Sequence, residues 1–286
     1  RAAPAVDLAD YQIGATVGVA ELSLGAVTVG TNRHLLNGFG SRGVQAGLRL
    51  GPALRFDLGL VSGTNVVGWS NLTGITDADH RIGLAALGVQ LVPSRPGALQ
   101  LEVTAVDGSV RPQAGFNQGA ATDAETSHGV GLVVAASDAR QRIRFTGGFS
   151  RSRFSNPADP LLFGDTTVVA VVPSTRDARF GELSLRLIEG LQVTPKIPVS
   201  FGVTGRHERV DPLYRSVGAF VAADQENNAV EAAASLGALS LQGAVTATHD
   251  NLGAVASILT SRTRGTAWSG SVPLASLVGA RPAAFW

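Results

Sequence analysis

The sequence predicts an all-β fold made of long antiparallel strands, and three observations lead to this prediction. Apolar and polar residues alternate with a period of two in many segments, which is the pattern of a strand with two different faces. Glycine is frequent, with 35 residues in a chain of 286. Charged residues make up only 16% of the chain, against the roughly 25% that is usual in a soluble domain. Apolar residues are therefore spread through polar sequence, which suits alternating strands better than helices.

Composition also limits the possible functions. The formal net charge is +1, so the charge balance indicates no nucleic-acid partner. Cysteine is absent, which excludes disulfides, thiol catalysis and thiolate metal sites. No apolar run approaches the ~18 residues that a membrane helix needs. We expect residues 1–286 to form a single β-domain, with no separate soluble domain and no cofactor.

The strands are identified from the alternation itself. In 239–249, Leu241 and Val245 point to one side, and Gln242 and Thr246 point to the other. The same pattern recurs at 44–50, 54–60, 99–105, 143–149 and 197–206. The total is about twelve strands, with 11–30 open as one strand or two. The segment 166–172, TTVVAVV, has strand propensity, but it is assigned to a loop because a strand there would break the order of the connections.

Short and long connections alternate along the chain. The short ones are 51–52, 93–98, 137–138, 190–196 and 237–238. The long polar ones are 31–42, 63–79, 109–127, 155–177 and 210–228. In an up-and-down meander, this order places all short turns at one end and all long loops at the other, which is typical of transmembrane barrels.

Two environments suit alternating antiparallel strands. A soluble sandwich or barrel packs its apolar face into a core, whereas a membrane barrel turns that face to lipid and encloses the polar face. Several strands reach the 9–11 residues that cross a bilayer. The apolar face consists of Leu, Val, Ala and Gly, which lipid accommodates without the close packing that a core requires. The sequence therefore favours an antiparallel up-and-down transmembrane β-barrel.

In such a barrel the polar face of each strand would line the lumen. The candidate lumen-facing residues are Arg49, Arg55, Asp57, Glu102, Arg142, Arg144, Glu182, Arg186, Arg206 and Gln242. Charges of both signs on a shared wall are expected to pair with each other and with lumen water. Arg142 and Arg144 would either favour anions near one wall or pair with Glu182 and stiffen it, and the second interpretation is preferred.

With this alternation, loop asymmetry and glycine content, the sequence resembles a bacterial outer-membrane β-barrel protein. Two stretches are similar to segments of large outer-membrane barrels: GGFSRSRFSNPADPLL (147–162) and RHERVDPLYRSVGAF (206–220). The resemblance implies a location in the bacterial outer membrane of a Gram-negative cell, with the lipid bilayer as environment and other envelope protein chains as candidate partners. The terminal Phe285-Trp286 resembles the insertion signal of such barrels, although Pro282 is awkward in a closing strand. Two alternatives stay open: the barrel closes within this chain, or the chain is an arc of a larger barrel.

Several motifs have a simpler explanation than a functional site. Residues 38–43 match GxGxxG, but a nucleotide site requires a following helix, so a glycine-rich loop entering a hairpin is expected. The five histidines lack metal-ligand spacing, and the acids at 77–79 and 224–226 are read as solvated loop residues rather than a calcium site. Ser127-His128 suggests an outer-membrane lipid hydrolase, yet neighbours on a strand face opposite sides, so we expect no enzyme. No catalytic, cofactor or metal residue is assigned.

The functional prediction is a pore or a scaffold. As a pore, the polar lumen would pass small solutes. As a scaffold or export channel, the barrel would hold or export a partner protein. The alternative from another class is a soluble, secreted all-β binding protein with a packed core.

Overall fold

The structure is a computed structural model, and it describes residues 10–64, 67, 71–111, 113–114, 117–118, 124–155, 173–194 and 197–273. Within these residues the chain forms fifteen strands. They are β1 Gln12–Val17, β2 Ala20–Asn32, β3 Leu36–Leu50, β4 Leu54–Ser62, β5 Arg81–Gln90, β6 Leu99–Val110, β7 Gln113–Ala114, β8 Asn117–Gln118, β9 Glu125–Ser137, β10 Ile143–Ser155, β11 Ser174–Thr194, β12 Ile197–Val210, β13 Gln225–Leu236, β14 Leu239–Asp250 and β15 Arg262–Ser271.

Thirteen of the described strands form one antiparallel sheet in which neighbours along the chain are neighbours in space. β7 and β8 form a separate small hairpin within the connection from β6 to β9. In the described part of the chain no pairing joins β1 to β15, so the sheet is open there. The predicted all-β, antiparallel, up-and-down architecture is confirmed. The main sheet has thirteen strands where about twelve were predicted, and the ambiguous segment 11–30 contains both β1 and β2.

The connections divide between the two ends of the sheet. One end, here called the turn end, carries the connections 18–19, 51–53, 91–98, 138–142, 195–196 and 237–238. The other, the loop end, carries 33–35, 63–80, 111–124, 156–173, 211–224 and 251–261. Gly237 has a φ of 58° in the two-residue turn before β14, a conformation that glycine adopts without strain. The predicted asymmetry is present, with one exception at 33–35.

One predicted connection was wrong, and another is short as predicted but has different bounds. The expected loop 31–42 is a tight turn, because the Asn32 carboxamide oxygen accepts hydrogen bonds from the backbone N–H of His34 and of Leu35, both at 3.1 Å. The expected connection 190–196 is shorter, because β11 continues to Thr194 through register shifts between Arg186 and Thr194. The segment 166–172 and the terminal Phe285-Trp286 lie outside the described residues.

The glycine-rich motif at 38–43 lies inside β3, so the expectation of a loop was wrong. Residues 39–43 of the motif pair with β2. Glycine is required at Gly43 because a side chain there would overlap the Leu60 carbonyl oxygen of β4. The motif thus allows close strand packing. The described residues contain no helix that is long and apolar enough to cross a membrane.

The sheet is strongly curved, and side-chain contacts show which face is inside. The Thr31 hydroxyl of β2 donates to the Glu102 carboxylate of β6, across three intervening strands. The Ser150 hydroxyl of β10 donates to the Asn32 carboxamide oxygen at 3.0 Å, across five intervening strands. Only a curled sheet brings such distant strands together. The face that carries Thr31, Glu102 and Ser150 is therefore concave.

The opposite, convex face is apolar and exposed. One row of residues, each directly opposite the next, crosses six adjacent strands with side chains between 36% and 45% exposed. The row consists of Leu48, Phe56, Leu87, Val103, Leu132 and Phe149. A continuous apolar surface of this kind is typical of a surface that contacts protein or membrane.

The larger of two buried apolar clusters in the described residues lies on the concave side, at the loop end. It contains Val27, Val29, Leu35, Leu36, Val61, Ile82, Leu84 and Val106, with Phe39, Val110 and Val217 packed against it. Leu35 comes from the tight turn and Val217 from the connection 211–224. These two connections therefore fold inward and fill the concave side at that end, while the turn end of the same face is lined by polar and charged residues.

Candidate functional site

The concave face brings the sequence-predicted polar residues together. Nine of the ten candidates lie on strands, and the register places all nine on this face. Arg49 lies opposite Arg55, and Glu182 lies opposite Arg206. The tenth, Arg142, lies one residue before β10, and its carbonyl oxygen accepts a hydrogen bond from the N–H of Arg186 at 2.7 Å.

Ion pairs connect several of these side chains across the concave face. Arg206 bridges two carboxylates, with its Nε 3.0 Å from Glu182 Oε2 and its Nη1 2.6 Å from Glu231 Oε1. Arg55 Nε lies 2.6 Å from Asp57 Oδ2. All five side chains are partly exposed, so each pair contributes little to stability. Their effect is to keep this wall polar and close to charge balance.

The predicted pairing of Arg142 and Arg144 with Glu182 was wrong. Arg142 Nε lies 3.8 Å from Glu189 Oε2, and Arg186 Nη1 lies 3.4 Å from Oε1 of the same carboxylate. Arg144 donates to the Gln141 carboxamide oxygen. Glu182 pairs with Arg206 because the two are register partners on adjacent strands.

A cavity of about 630 Å³ lies against the turn end of the concave face. Its polar lining comes from β10 to β15 and includes Arg144, Arg186, Thr204, Glu231 and Gln242. Basic, acidic and amide side chains therefore surround one open space. Such a lining can hold water and small polar solutes, and it has no arrangement of a nucleophile and a base.

The connection 211–224, here called the inward segment, lies across the loop end of the concave face. Tyr214 is 2% exposed, and its hydroxyl donates to the His34 carbonyl oxygen at 2.9 Å. The Ser216 hydroxyl donates to the Leu35 carbonyl oxygen at 2.7 Å. Burial raises the pKa of Tyr214 above its ordinary value, so the phenol stays protonated and able to donate.

Further contacts hold the inward segment to the sheet itself. The Ser152 hydroxyl of β10 donates to the Arg215 carbonyl oxygen at 2.7 Å, and the Arg215 guanidinium lies 3.3 Å from Glu125. Gly218 forms a parallel bridge with Leu36. The inward segment thus contacts β3, β9 and β10, and it narrows the space that the curved sheet encloses.

Sequence reasoning missed this segment. The turn residues of 210–228 predict one long polar loop, yet 213–221 reads LYRSVGAFV and carries aromatic and aliphatic residues. That apolar content inside a loop was the available signal. The partner residues in the tight turn, His34 and Leu35, carried no signal, because their burial depends on the fold of the whole sheet.

The minor motifs have ordinary structural roles. Ser127 is buried on the concave side with its hydroxyl 3.5 Å from that of Ser152, whereas His128 points outward and lies 2.6 Å from Asp107, so the two cannot act together. Arg111 donates to Asp77 at 2.9 Å and to Asp79 at 3.2 Å, and it neutralises that acidic pair. No group of three potential metal ligands occurs in the described residues.

A curved up-and-down sheet with an apolar convex face and a charged concave face is the architecture of a membrane β-barrel wall. Solved structures to which the chain is similar include bacterial outer-membrane barrels. OccK5 (OpdH) of Pseudomonas aeruginosa has 11% identity and a TM-score of 0.47, over 90% of this chain and 69% of that one. An anion-selective porin from Comamonas acidovorans has 10% identity and a TM-score of 0.43, over 84% and 67%.

A third similar structure is Wzi of Escherichia coli, a carbohydrate-binding β-barrel involved in group 1 capsule assembly. It has 10% identity and a TM-score of 0.42, over 89% of this chain and 56% of that one. No protein-family model matches the sequence, and no curated protein matches it.

Proposed function

We propose that this protein forms a bacterial outer-membrane pore whose aqueous passage is lined by the concave face and narrowed by the inward segment. The observation that carries the proposal is the separation of the two faces. The register places the charged residues of the candidate set on the concave side and a continuous apolar row on the convex side. A soluble β-sandwich would have the opposite arrangement.

Strand length supports the membrane environment. Apart from β1, the strands of the main sheet have between 9 and 21 residues, against the roughly 9–11 that a tilted strand needs to cross a bilayer. The lipid bilayer would contact the convex face. The concave face would contact water whether this chain encloses the passage alone or together with further strands.

The concave face supports conduction in two ways. Its turn end surrounds a cavity of about 630 Å³ with charged and amide groups. At its loop end, Tyr214 and Ser216 hold the inward segment through two hydroxyl hydrogen bonds to carbonyl oxygens of the tight turn. Each such bond is worth about 0.5–1.5 kcal/mol. Loss of both would destabilise the inward position of the segment without leaving a large cavity.

The test is single-channel recording in planar lipid bilayers. The variant Tyr214→Phe/Ser216→Ala should conduct more, or open more often, than the wild type. The matched control is Phe220→Ala in the same segment, because this side chain is fully exposed and should leave conductance unchanged. If neither the wild type nor the double variant conducts, the pore is refuted and a scaffold for a partner protein becomes the better account.

Membrane placement has its own test. The protein should stay in the membrane fraction after salt and carbonate washes and should need detergent for extraction. Release without detergent would favour the soluble secreted binding protein.

A further inference from the structure

We propose that the convex face of β11 to β15 holds one lipid molecule with a phosphate-containing headgroup. The phosphate would lie at Arg262 and Arg264 on β15, and an acyl chain would lie over Gly181 and Gly205. This inference rests on the proposed membrane placement and does not depend on conduction through the barrel.

The headgroup site is a cavity of about 270 Å³ at the loop end of the convex face. Arg262 lies opposite His249, and Arg264 lies opposite Ala247, so both arginines project from the convex side. Both are exposed, and in the described part of the chain neither forms an ion pair. Glu226 lies opposite His249 and carries the nearest carboxylate on that line across the strands. Its Oε2 already lies 3.0 Å from the Arg209 Nη1. The cavity therefore has an excess of positive charge.

Arginine is well suited to a phosphate group. Its guanidinium presents several N–H donors in a plane and binds phosphate oxygens in pairs. Arg262 and Arg264 lie two residues apart on one strand face, about 7 Å along the strand. One phosphate between them would receive charge-assisted hydrogen bonds from both, with the Asn228 carboxamide and the His249 imidazole on the other side of the same cavity.

The acyl site is a shallow apolar groove of about 430 Å³ directly toward the turn end. Its floor is made by Gly181 and Gly205, where an added Cβ would meet no atom within 4 Å. Its walls are the apolar side chains of Phe145, Leu183, Val230 and Val245. His207 also lines the groove beside Asn228, with its Nδ1 2.8 Å from the Asn228 Oδ1. The two glycines leave a depression in an otherwise continuous apolar surface, which fits a hydrocarbon chain.

The two sites are continuous, because Asn228 and Ala247 line both cavities. A ligand that fills both must carry a negative head and an apolar tail, with the head toward the loop end. A free phosphate would occupy only the headgroup site, and a detergent chain would occupy only the groove. The combination indicates an anionic phospholipid-like molecule.

The experiment is native mass spectrometry of the detergent-solubilised protein with equal amounts of phosphatidylglycerol and phosphatidylcholine. Both lipids offer a phosphate, but the choline cation of phosphatidylcholine would lie beside the two arginines and offset the attraction. Phosphatidylglycerol should therefore be retained about tenfold more than phosphatidylcholine. The variant Arg262→Ala/Arg264→Ala should lose this preference. The matched control Arg140→Ala, an exposed arginine in the turn 138–142, should keep it.

The groove is tested separately with Gly205→Leu and Gly181→Leu, which place a side chain where the acyl chain would lie. Both variants should fold, because the added Cβ enters open space, and both should retain less of either lipid.

Equal retention of the two lipids by the wild type would overturn the proposal, as would an unchanged preference in the double arginine variant. Displacement of phosphatidylglycerol by excess inorganic phosphate would show that the two arginines bind any anion, and it would overturn the lipid site. Failure of membrane placement would be recognised by extraction without detergent, and failure of the pore by absent conductance.

Discussion

Leu132 and Val133 are adjacent on β9 but point to opposite faces of the sheet. Leu132 lies at the middle of the strand, opposite Val103 and Phe149, and is 41% exposed on the convex face. Val133 lies on the concave face, opposite Glu102 of β6. Arginine at each position in turn therefore places the same charge in two environments that are one residue apart.

The two substitutions should differ strongly in their effect on stability. In a membrane barrel, arginine on the lipid face near the bilayer midplane costs about 2–4 kcal/mol. The arginine of Val133→Arg would face the enclosed polar side and reach Glu102, so its cost should stay below about 1 kcal/mol. The expected gap of about 2 kcal/mol corresponds to roughly thirtyfold in the folding equilibrium.

The measurement is reversible urea unfolding in phospholipid vesicles, followed by tryptophan emission, for the wild type and both variants. Leu132→Arg should lower the free energy of unfolding, and Val133→Arg should change it little. A soluble protein with a packed concave core would give the reverse order, because an exposed leucine tolerates charge and a core valine does not. That reversed order would refute the assignment of the two faces.

Two further predictions follow from the concave face and the loop end. Glu231→Gln leaves Arg206 with one carboxylate partner, so the reversal potential of the proposed pore should shift toward the equilibrium potential of the anion. Glu226→Gln on the convex face should cause no such shift. Burial lowers the pKa of His80, whose Nδ1 accepts a hydrogen bond from the Arg111 N–H at 3.0 Å. In the unfolded chain the imidazole has a pKa of 6.5, so on acidification it binds a proton at a higher pH than the folded imidazole does. The stability that neutral His80 provides is therefore fully present above pH 6.5 and declines as the pH falls below 6.5. Hydrogen exchange in 71–80, corrected for the intrinsic rate, should therefore rise on acidification from about pH 7 to about pH 5, and an unchanged rate would contradict the assignment of neutral His80.

The sequence predicted the sheet well because period-two alternation reports directly on the two faces of a strand. Gln242 and Leu241 could be assigned to opposite sides without any tertiary information, and the register agrees with that assignment. Turn positions were less predictable. The 31–42 region looked like a polar loop, because the Asn32 side chain that closes the tight turn cannot be distinguished in sequence from a solvated asparagine.

The inward segment shows the limit of local reasoning more clearly. Tyr214 and Ser216 bond to residues about 180 positions earlier in the chain, at His34 and Leu35. No periodic signal encodes a contact of that range. Ion-pair partners could not be predicted either, since the pairing of Glu182 with Arg206 depends on the register between β11 and β12.

Cysteine accessibility tests the central claim most directly, because the chain contains no cysteine of its own. Single cysteines at Val203 and Thr204 on β12, and at Leu241 and Gln242 on β14, sample both faces in adjacent pairs. In vesicles, a charged water-soluble thiol reagent should modify the variants Thr204→Cys and Gln242→Cys and reduce their conductance. The variants Val203→Cys and Leu241→Cys should react only after denaturation. Reaction at 203 and 241 with protection at 204 and 242, or equal reaction at all four, would contradict the account.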